Sequence, residues 1–254
     1  MSFNLSDVGN PICKIVSNSK LNNKVVCLSD TDDEYIKSFS ELSLKDDDKF
    51  ELIPNTKADR DVLYLCGAAG VGKSYMIASY VRNYKKKYKG CSIFLISEKE
   101  DDKCLDSISG IKRIKVDKNI IDDPLDLKDF IDEGRCLIIY DDIDSFESKL
   151  KKAIYTLLNK CLKVGRSYNI SVCVSSHNAC DGRDTKSMLN ESTCIIFYAS
   201  CWNRSLKYLC ESYIGLSKKD IEILRGHKSR WTAYIKSYPS CIVQEQNIFR
   251  FGQE

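Results

Sequence analysis

Two histidines in 254 residues, and no Cys-x-x-Cys pair among thirteen cysteines, leave this chain poor in the ligand spacings of a structural zinc site. His177 with Cys180 offers two candidate ligands, and no second pair completes them. No apolar run approaches the ~18 residues that a membrane span requires, so no span is expected. Met1 to Asn10 is polar and carries no targeting pattern. Charge of one sign is not in excess either. A formal charge of +3 and a pI near 8.1 permit a nucleic-acid partner without arguing for one. The runs Lys85-Lys86-Lys87 and Asp46-Asp47-Asp48 read as solvated faces of opposite sign. Internal repeats and low-complexity tracts are lacking as well.

Cysteine itself is plentiful, but its count is odd. Cys66, Cys136, Cys173 and Cys194 sit inside apolar runs, where a thiol behaves as a small hydrophobe. That usage, without a secretory leader, points to a reducing compartment. Hydrophobic content of 43% supplies a sizeable core. The length suits one α/β domain with an appendage, or two small domains.

The most informative stretch is Gly67-Ala68-Ala69-Gly70-Val71-Gly72-Lys73-Ser74, which reads G-x-x-x-x-G-K-S. The apolar run Val62–Cys66 before it suits a buried strand. Ile77, Tyr80, Val81, Tyr84 and Tyr88 after it fall at helical spacing. The pattern therefore sits between a strand and a helix N-terminus, where a phosphate loop must sit. Glycine lets the backbone fold closely round an anion. The unpaired N–H groups of the first helical turn and the helix dipole favour negative charge there. In such a loop Lys73 reaches the β- and γ-phosphates of ATP, and the Ser74 hydroxyl is a Mg²⁺ ligand.

A second half of a nucleotide site follows about 70 residues later. Cys136-Leu137-Ile138-Ile139-Tyr140 is an apolar strand ended by Asp141-Asp142. Asp141 is expected to hold Mg²⁺ through water, opposite Ser74. Asp142, one step further out, is expected to orient and polarise the attacking water. A nucleoside kinase has no need of that second acid, so the pair favours hydrolysis. Asp144 is a candidate N-cap for the next helix, whose stripe is Phe146, Leu150, Ala153, Ile154, Leu157, Leu158 and Cys161.

Gly165-Arg166 ends that helix. Arg166 either projects from a subunit edge to complete a neighbour's site in a ring, or simply complements the helix dipole. The strand Ile170–Val174 runs out into Ser175-Ser176-His177-Asn178. His177 is the candidate sensor of the γ-phosphate or the water, with Ser176 and Asn178 behind it; a plain polar strand exit is the alternative.

Along the chain, residues 1–55 read as a β-rich lead-in or arm, with strand-like runs Ile12–Val16 and Lys24–Leu28. Residues 56–214 read as the ATPase core. In it Ser92–Ile96, Arg113–Val116, Ile170–Val174 and Cys194–Tyr198 add strands, and Leu125–Ile131 a short helix. Residues 215–254 read as an extension with a short helix at Ser217–Gly226 and strands at Trp231–Ser237 and Ile242–Phe249. Strands alternating with helices predict a mostly parallel sheet flanked by helices.

These features together resemble the HerA/FtsK superfamily, and within it the poxvirus-type DNA-packaging ATPases. The likeness spans about residues 58–200. It rests on Gly67–Ser74, Ile138–Asp142, Gly165-Arg166, Ser176-His177 and Asn190 before Cys194–Tyr198. The family usually carries Gln where this chain has His177, and often an Arg where it has Ser187-Met188-Leu189. The resemblance implies a RecA-like P-loop NTPase of the additional-strand class. It also implies an oligomeric ring motor that translocates double-stranded DNA into a capsid, with a capsid or portal partner, in the host cytoplasm or the virion. The alternatives are another P-loop ATPase (a AAA-type remodeller or helicase loader) or a nucleotide-binding structural protein without turnover.

Overall fold

The computed structural model describes residues 2–30, 36–45, 47–131, 134–237 and 239–250. Part of the acidic stretch at 29–33, and Asp46 of the acidic run, lie outside the described residues. The chain forms two compact units, Asp59–Ser192 and Met1–Ala58 with Thr193–Glu254.

The unit Asp59–Ser192 is α/β. Its strands are β1 (Val62–Cys66), β2 (Ser92–Ser97), β3 (Ile111–Lys115), β4 (Cys136–Tyr140) and β5 (Ile170–Ser176). Its helices are α1 (Lys73–Lys87), α2 (Asn119–Asp122), α3 (Lys128–Ile131), α4 (Ser148–Val164) and α5 (Gly182–Glu191). The strands pair in parallel in the order β3-β2-β4-β5-β1. So β5 lies between the strand that feeds the phosphate loop and the strand that ends in Asp141. That inserted strand is the topology expected of the additional-strand class. β1, β4 and β5 are buried throughout. This explains their unbroken apolar runs, since helices cover both faces of a parallel sheet. β3, at the edge, is half-exposed and carries Lys112, Arg113 and Lys115.

The tyrosines buried in this unit have hydroxyls that find partners. Tyr80 donates to Asp61 at 2.7 Å, Tyr84 to the Cys136 carbonyl at 3.2 Å, and Tyr140 to Cys161 Sγ at 3.4 Å. Each ring thereby fills core volume without stranding a polar atom. All thirteen cysteines are free, and nine are buried, as their apolar neighbours in the sequence imply.

Helix α4 begins at Ser148 rather than at Phe146, because a 3₁₀ turn at Ile143–Ser145 intervenes. It buries Leu150, Ile154, Leu157, Leu158, Cys161 and Leu162. At its other end Arg60 donates to the carbonyls of Cys161 and Leu162 at 2.5 and 2.6 Å. These are acceptors that a helix end leaves unpaired. A Cβ at Gly165 would stand 2.9 Å from Arg60 Nη1, so the glycine makes room for that guanidinium. The helix expected at Leu125–Ile131 is present only as α3, Lys128–Ile131, and α2 at Asn119–Asp122 precedes it.

The other unit is mainly antiparallel. One sheet runs Ser38–Phe39, Ser2–Asn4, Val25–Ser29, Asn10–Val16, Lys49–Leu52. A second set pairs Glu41–Ser43 with Asn247–Phe249, then Cys241–Gln244, Thr232–Ile235 and Cys194–Phe197, all antiparallel. Here the lead-in is β-rich, and Cys194–Phe197 pairs antiparallel with Thr232–Ile235. The short helix at Lys218–Gly226 opens with a capping box between Ser217 and Asp220.

Candidate functional site

The loop Gly67–Ser74 connects β1 to α1, and its first N–H donates to the Ser176 carbonyl at 3.1 Å. Gly70 and Gly72 have φ of 79° and 107°, a region that side chains rarely enter. A Cβ at either would meet nothing within 4 Å. Backbone conformation, not crowding, therefore demands glycine, and the cradle is left open. Ala68, Ala69 and Gly70 are exposed, and Val71 and Ser74 are half-buried. Gly72 is the N-cap of α1. No side chain caps the helix, and no acid lies in its first turn. These are the conditions under which helical N–H groups receive an anion.

Lys73 is buried, and its ammonium turns back on the loop. It donates to the Gly67 carbonyl at 2.8 Å and the Ala68 carbonyl at 3.4 Å, and lies 3.2 Å from Asp142 Oδ1.

Asp141 and Asp142 follow β4. The Asp141 N–H donates to Ile96 O at 3.0 Å, which continues the pairing with β2 by one residue. Its carboxylate accepts from Ser175 Oγ (3.0 Å), Ser97 Oγ (3.2 Å) and Lys99 Nζ (3.1 Å). Asp142 then takes a left-handed conformation, φ 45° and ψ 48°. This departure for a non-glycine residue is held by its N–H donating to Ser175 Oγ at 2.7 Å. The Asp142 carboxylate meets Lys73, while Ser175 Oγ and Lys99 Nζ reach both carboxylates. Asp142 Oδ2 lies 2.6 Å from Lys99 Nζ. Burial pushes the Asp142 carboxyl up, but the hydrogen bond from Lys99 and the charges of Lys73, Lys99 and His177 outweigh it and hold the group below its usual value. Burial likewise pulls Lys99 down, and its two aspartate partners more than reverse that, so its ammonium is held above the ordinary lysine value.

His177, just past β5, joins the same cluster. Its Nε2 stands 3.8 Å from Asp142 Oδ1 and its Nδ1 3.4 Å from Asp144 Oδ1. Asp144 does not cap α4, whose N-cap is Glu147. Its carboxylate is taken by the N–H groups of His177, at 3.0 Å, and Asn178, at 3.2 Å. The strand exit outcompetes the helix for this acid, because the 3₁₀ turn places Asp144 before the helix starts. Arg166 is not drawn into the cluster. Among the described residues it pairs with Asp59 at 3.0 Å, and its side chain is 75% exposed.

Lys99, Ser175 and the clamp role of Asp144 escape sequence reasoning. The available signal is position. Lys99 and Ser175 lie at or just beyond the C-terminal ends of β2 and β5, the edge where ligands of open α/β sheets gather.

Among the described residues, no group of three or more His, Cys, Asp and Glu could cage a metal ion. Magnesium asks for less, one or two carboxylates with phosphate oxygens and waters completing its shell. Asp141, after β4, and Ser74, in the first turn of α1, each carry an oxygen donor of the kind such an ion takes.

Comparison with models of known protein families finds no match. Protein V3 of Sputnik virophage is 33% identical over 251 residues, covering 96% of this chain and 97% of that protein. Among solved structures, EssC (ATPases 2 and 3) from Geobacillus thermodenitrificans aligns with a TM-score of 0.53 at 14% identity, over 82% of this chain and 43% of that one. B204, the DNA-packaging ATPase from Sulfolobus Turreted Icosahedral Virus, aligns with a TM-score of 0.49 at 18% identity, over 74% and 98%. The likeness to EssC is one of fold.

Proposed function

This chain belongs to the same family as the virophage protein V3, and from that premise we propose that it is a viral ATP-hydrolysing motor that packages double-stranded DNA into a capsid. The observation that carries the reading is the meeting of Lys73 and Asp142 at 3.2 Å, between an uncapped glycine cradle and a strand ending in two acids. A nucleotide-binding scaffold needs the cradle; the second acid beside it serves hydrolysis.

In this reading the α1 N-terminus and the backbone of Gly67–Gly72 take the phosphates of ATP. Lys73 leaves the Gly67 carbonyl and Asp142 for the β- and γ-phosphates. Ser74 and Asp141 hold Mg²⁺, which when bound neutralises charge on the phosphate oxygens. Asp142, freed from Lys73, accepts a hydrogen bond from the attacking water and aligns it. The water oxygen bonds to the γ-phosphorus, the bond to the β-phosphate oxygen breaks, and the water proton ends on the released phosphate. His177 stands beside Asp142 and reports whether the γ-phosphate is present. Arg166, exposed and away from the cluster, serves a neighbour's site in a ring. A capsid or portal component receives the motor in the host cytoplasm.

The test is phosphate release with and without duplex DNA, alongside the mass of the oligomer with MgATP. Stimulation by duplex that fades steeply with salt supports a DNA motor, since phosphate contacts release counterions. Turnover indifferent to duplex at low salt points to a remodelling ATPase. Binding without turnover overturns the enzymatic reading.

A further inference from the structure

Lys99 belongs to no part of the nucleotide chemistry above, yet it makes the shortest ion pair of the cluster. Its ammonium stands 3.1 Å from Asp141 Oδ2 and 2.6 Å from Asp142 Oδ2, bridging the carboxylates. Those side chains are 4% and 13% exposed, whereas Lys99 is 47% exposed. Its backbone is tied down: the N–H donates to Ser97 Oγ at 3.1 Å, and the carbonyl accepts from Arg113 at 2.9 Å. A fixed backbone thus carries a side chain with open space to leave by.

We propose that Lys99 is a tethered cation that holds Asp141 and Asp142 together in the nucleotide-free protein and is displaced when MgATP arrives. The inference rests on the reading of Asp141 as the metal-side acid. Lys73 and Lys99 balance the charges of Asp141 and Asp142, one for one. Without Lys99 two neighbouring, largely buried carboxylates face one ammonium and repel each other. With Lys99 in place a bare divalent ion gains little, because the carboxylate oxygens it needs are already paired. A metal arriving with nucleotide gains the phosphates as well, and the phosphates draw Lys73 away from Asp142. The ammonium then yields. The device couples metal entry to nucleotide entry, so magnesium alone does not occupy the site.

The experiment compares wild type, Lys99→Met, Lys99→Arg and, as a surface control, Lys115→Met, whose lysine pairs with exposed Glu100. Thermal unfolding is followed in EDTA and through a Mg²⁺ titration without nucleotide, and MgATP binding is measured separately. Lys99→Met is expected to melt lower than wild type in EDTA and to recover with Mg²⁺, its apparent affinity for the bare ion rising about tenfold, the scale of a coupling between competing ligands. Lys99→Arg and Lys115→Met should follow the wild-type response to Mg²⁺. Lys99→Gln repeats the measurement should the methionine variant not fold. Equal Mg²⁺ responses in wild type and Lys99→Met would overturn the proposal. So would a marked loss of MgATP affinity in Lys99→Met, which would make Lys99 a nucleotide contact. Failure of wild type itself to bind MgATP is a separate result, and it refutes the nucleotide-site reading instead.

Discussion

Nζ of Lys73 lies 3.2 Å from Oδ1 of Asp142, so the lysine that opens α1 and the second acid beyond β4 form an ion pair. The contact ties the first residue of α1 to the second residue beyond β4. It also makes their substitutions unequal.

Lys73→Ala removes the ammonium proposed to meet the β- and γ-phosphates. ATP hydrolysis should fall by roughly 10²–10³, the scale of removing one preorganised charge-stabilising donor, and nucleotide binding should weaken too. A phosphate-release assay with a fluorescent-nucleotide titration reads both. Unchanged turnover would remove the phosphate-loop assignment.

Asp142→Asn keeps the shape but loses the charge proposed to align water. MgATP should still bind, because Asp141 and Ser74 remain, while hydrolysis stops. The reverse pattern, with Asp141→Asn inactive and Asp142→Asn active, would exchange the two roles.

The same carboxylate gives a pH signature. Its folded pKa is held below the unfolded value by Lys99 and Lys73 despite burial. Its contribution to stability is therefore complete above the unfolded pKa of about 4, and is lost as pH falls through the folded value. Melting temperature followed from pH 7 to pH 3, a range set by those values (about 4), should fall more steeply for wild type than for Asp142→Asn. Parallel curves would show that Asp142 is not linked to folding.

Asp144→Ala strips the acceptor from the N–H groups of His177 and Asn178. The half-buried His177 N–H left unpaired should cost about 1–3 kcal/mol in denaturant unfolding, whereas the exposed Asn178 N–H keeps Ser176 Oγ at 3.2 Å. Hydrogen exchange at His177 and Asn178 should speed up more than at β4. If only the start of α4 loosens, Asp144 acts on the helix after all.

Arg166→Ala subunits should bind MgATP yet fail to hydrolyse it in a uniform oligomer. Mixed with Lys73→Ala subunits, also inactive, they should regain part of the activity, because a partner with intact Arg166 completes the site of an Arg166→Ala neighbour. Mixed oligomers that are confirmed by mass and remain inactive would leave Arg166 as the surface partner of Asp59 and nothing more.

Much of the fold was legible because its signals are local. Gly67–Ser74 between an apolar run and a helical stripe needs no distant residue to read as strand, turn and helix. The unbroken apolar runs at Val62–Cys66 and Cys136–Tyr140 follow from a parallel sheet covered on both faces. Boundaries were less legible. The 3₁₀ turn at Ile143–Ser145 delays α4 to Ser148, and it arises where the chain leaves the sheet through the left-handed Asp142.

What the sequence by itself determined is the class of fold and the residue types offered at the ends of its strands. Only the tertiary structure decided who meets whom there. Lys99 reaches Asp141 and Asp142 because β2 and β4 are neighbours in register, Cys136 opposite Ser92 and Tyr140 opposite Ile96. Asp144 holds His177 because β5 and β4 end side by side, Tyr140 opposite Val174. Lys99 and Asp142 are 43 residues apart in the chain. A spacing that long carries no periodic signal, because the pairing of strands, not the path of the chain, sets the distance between their ends.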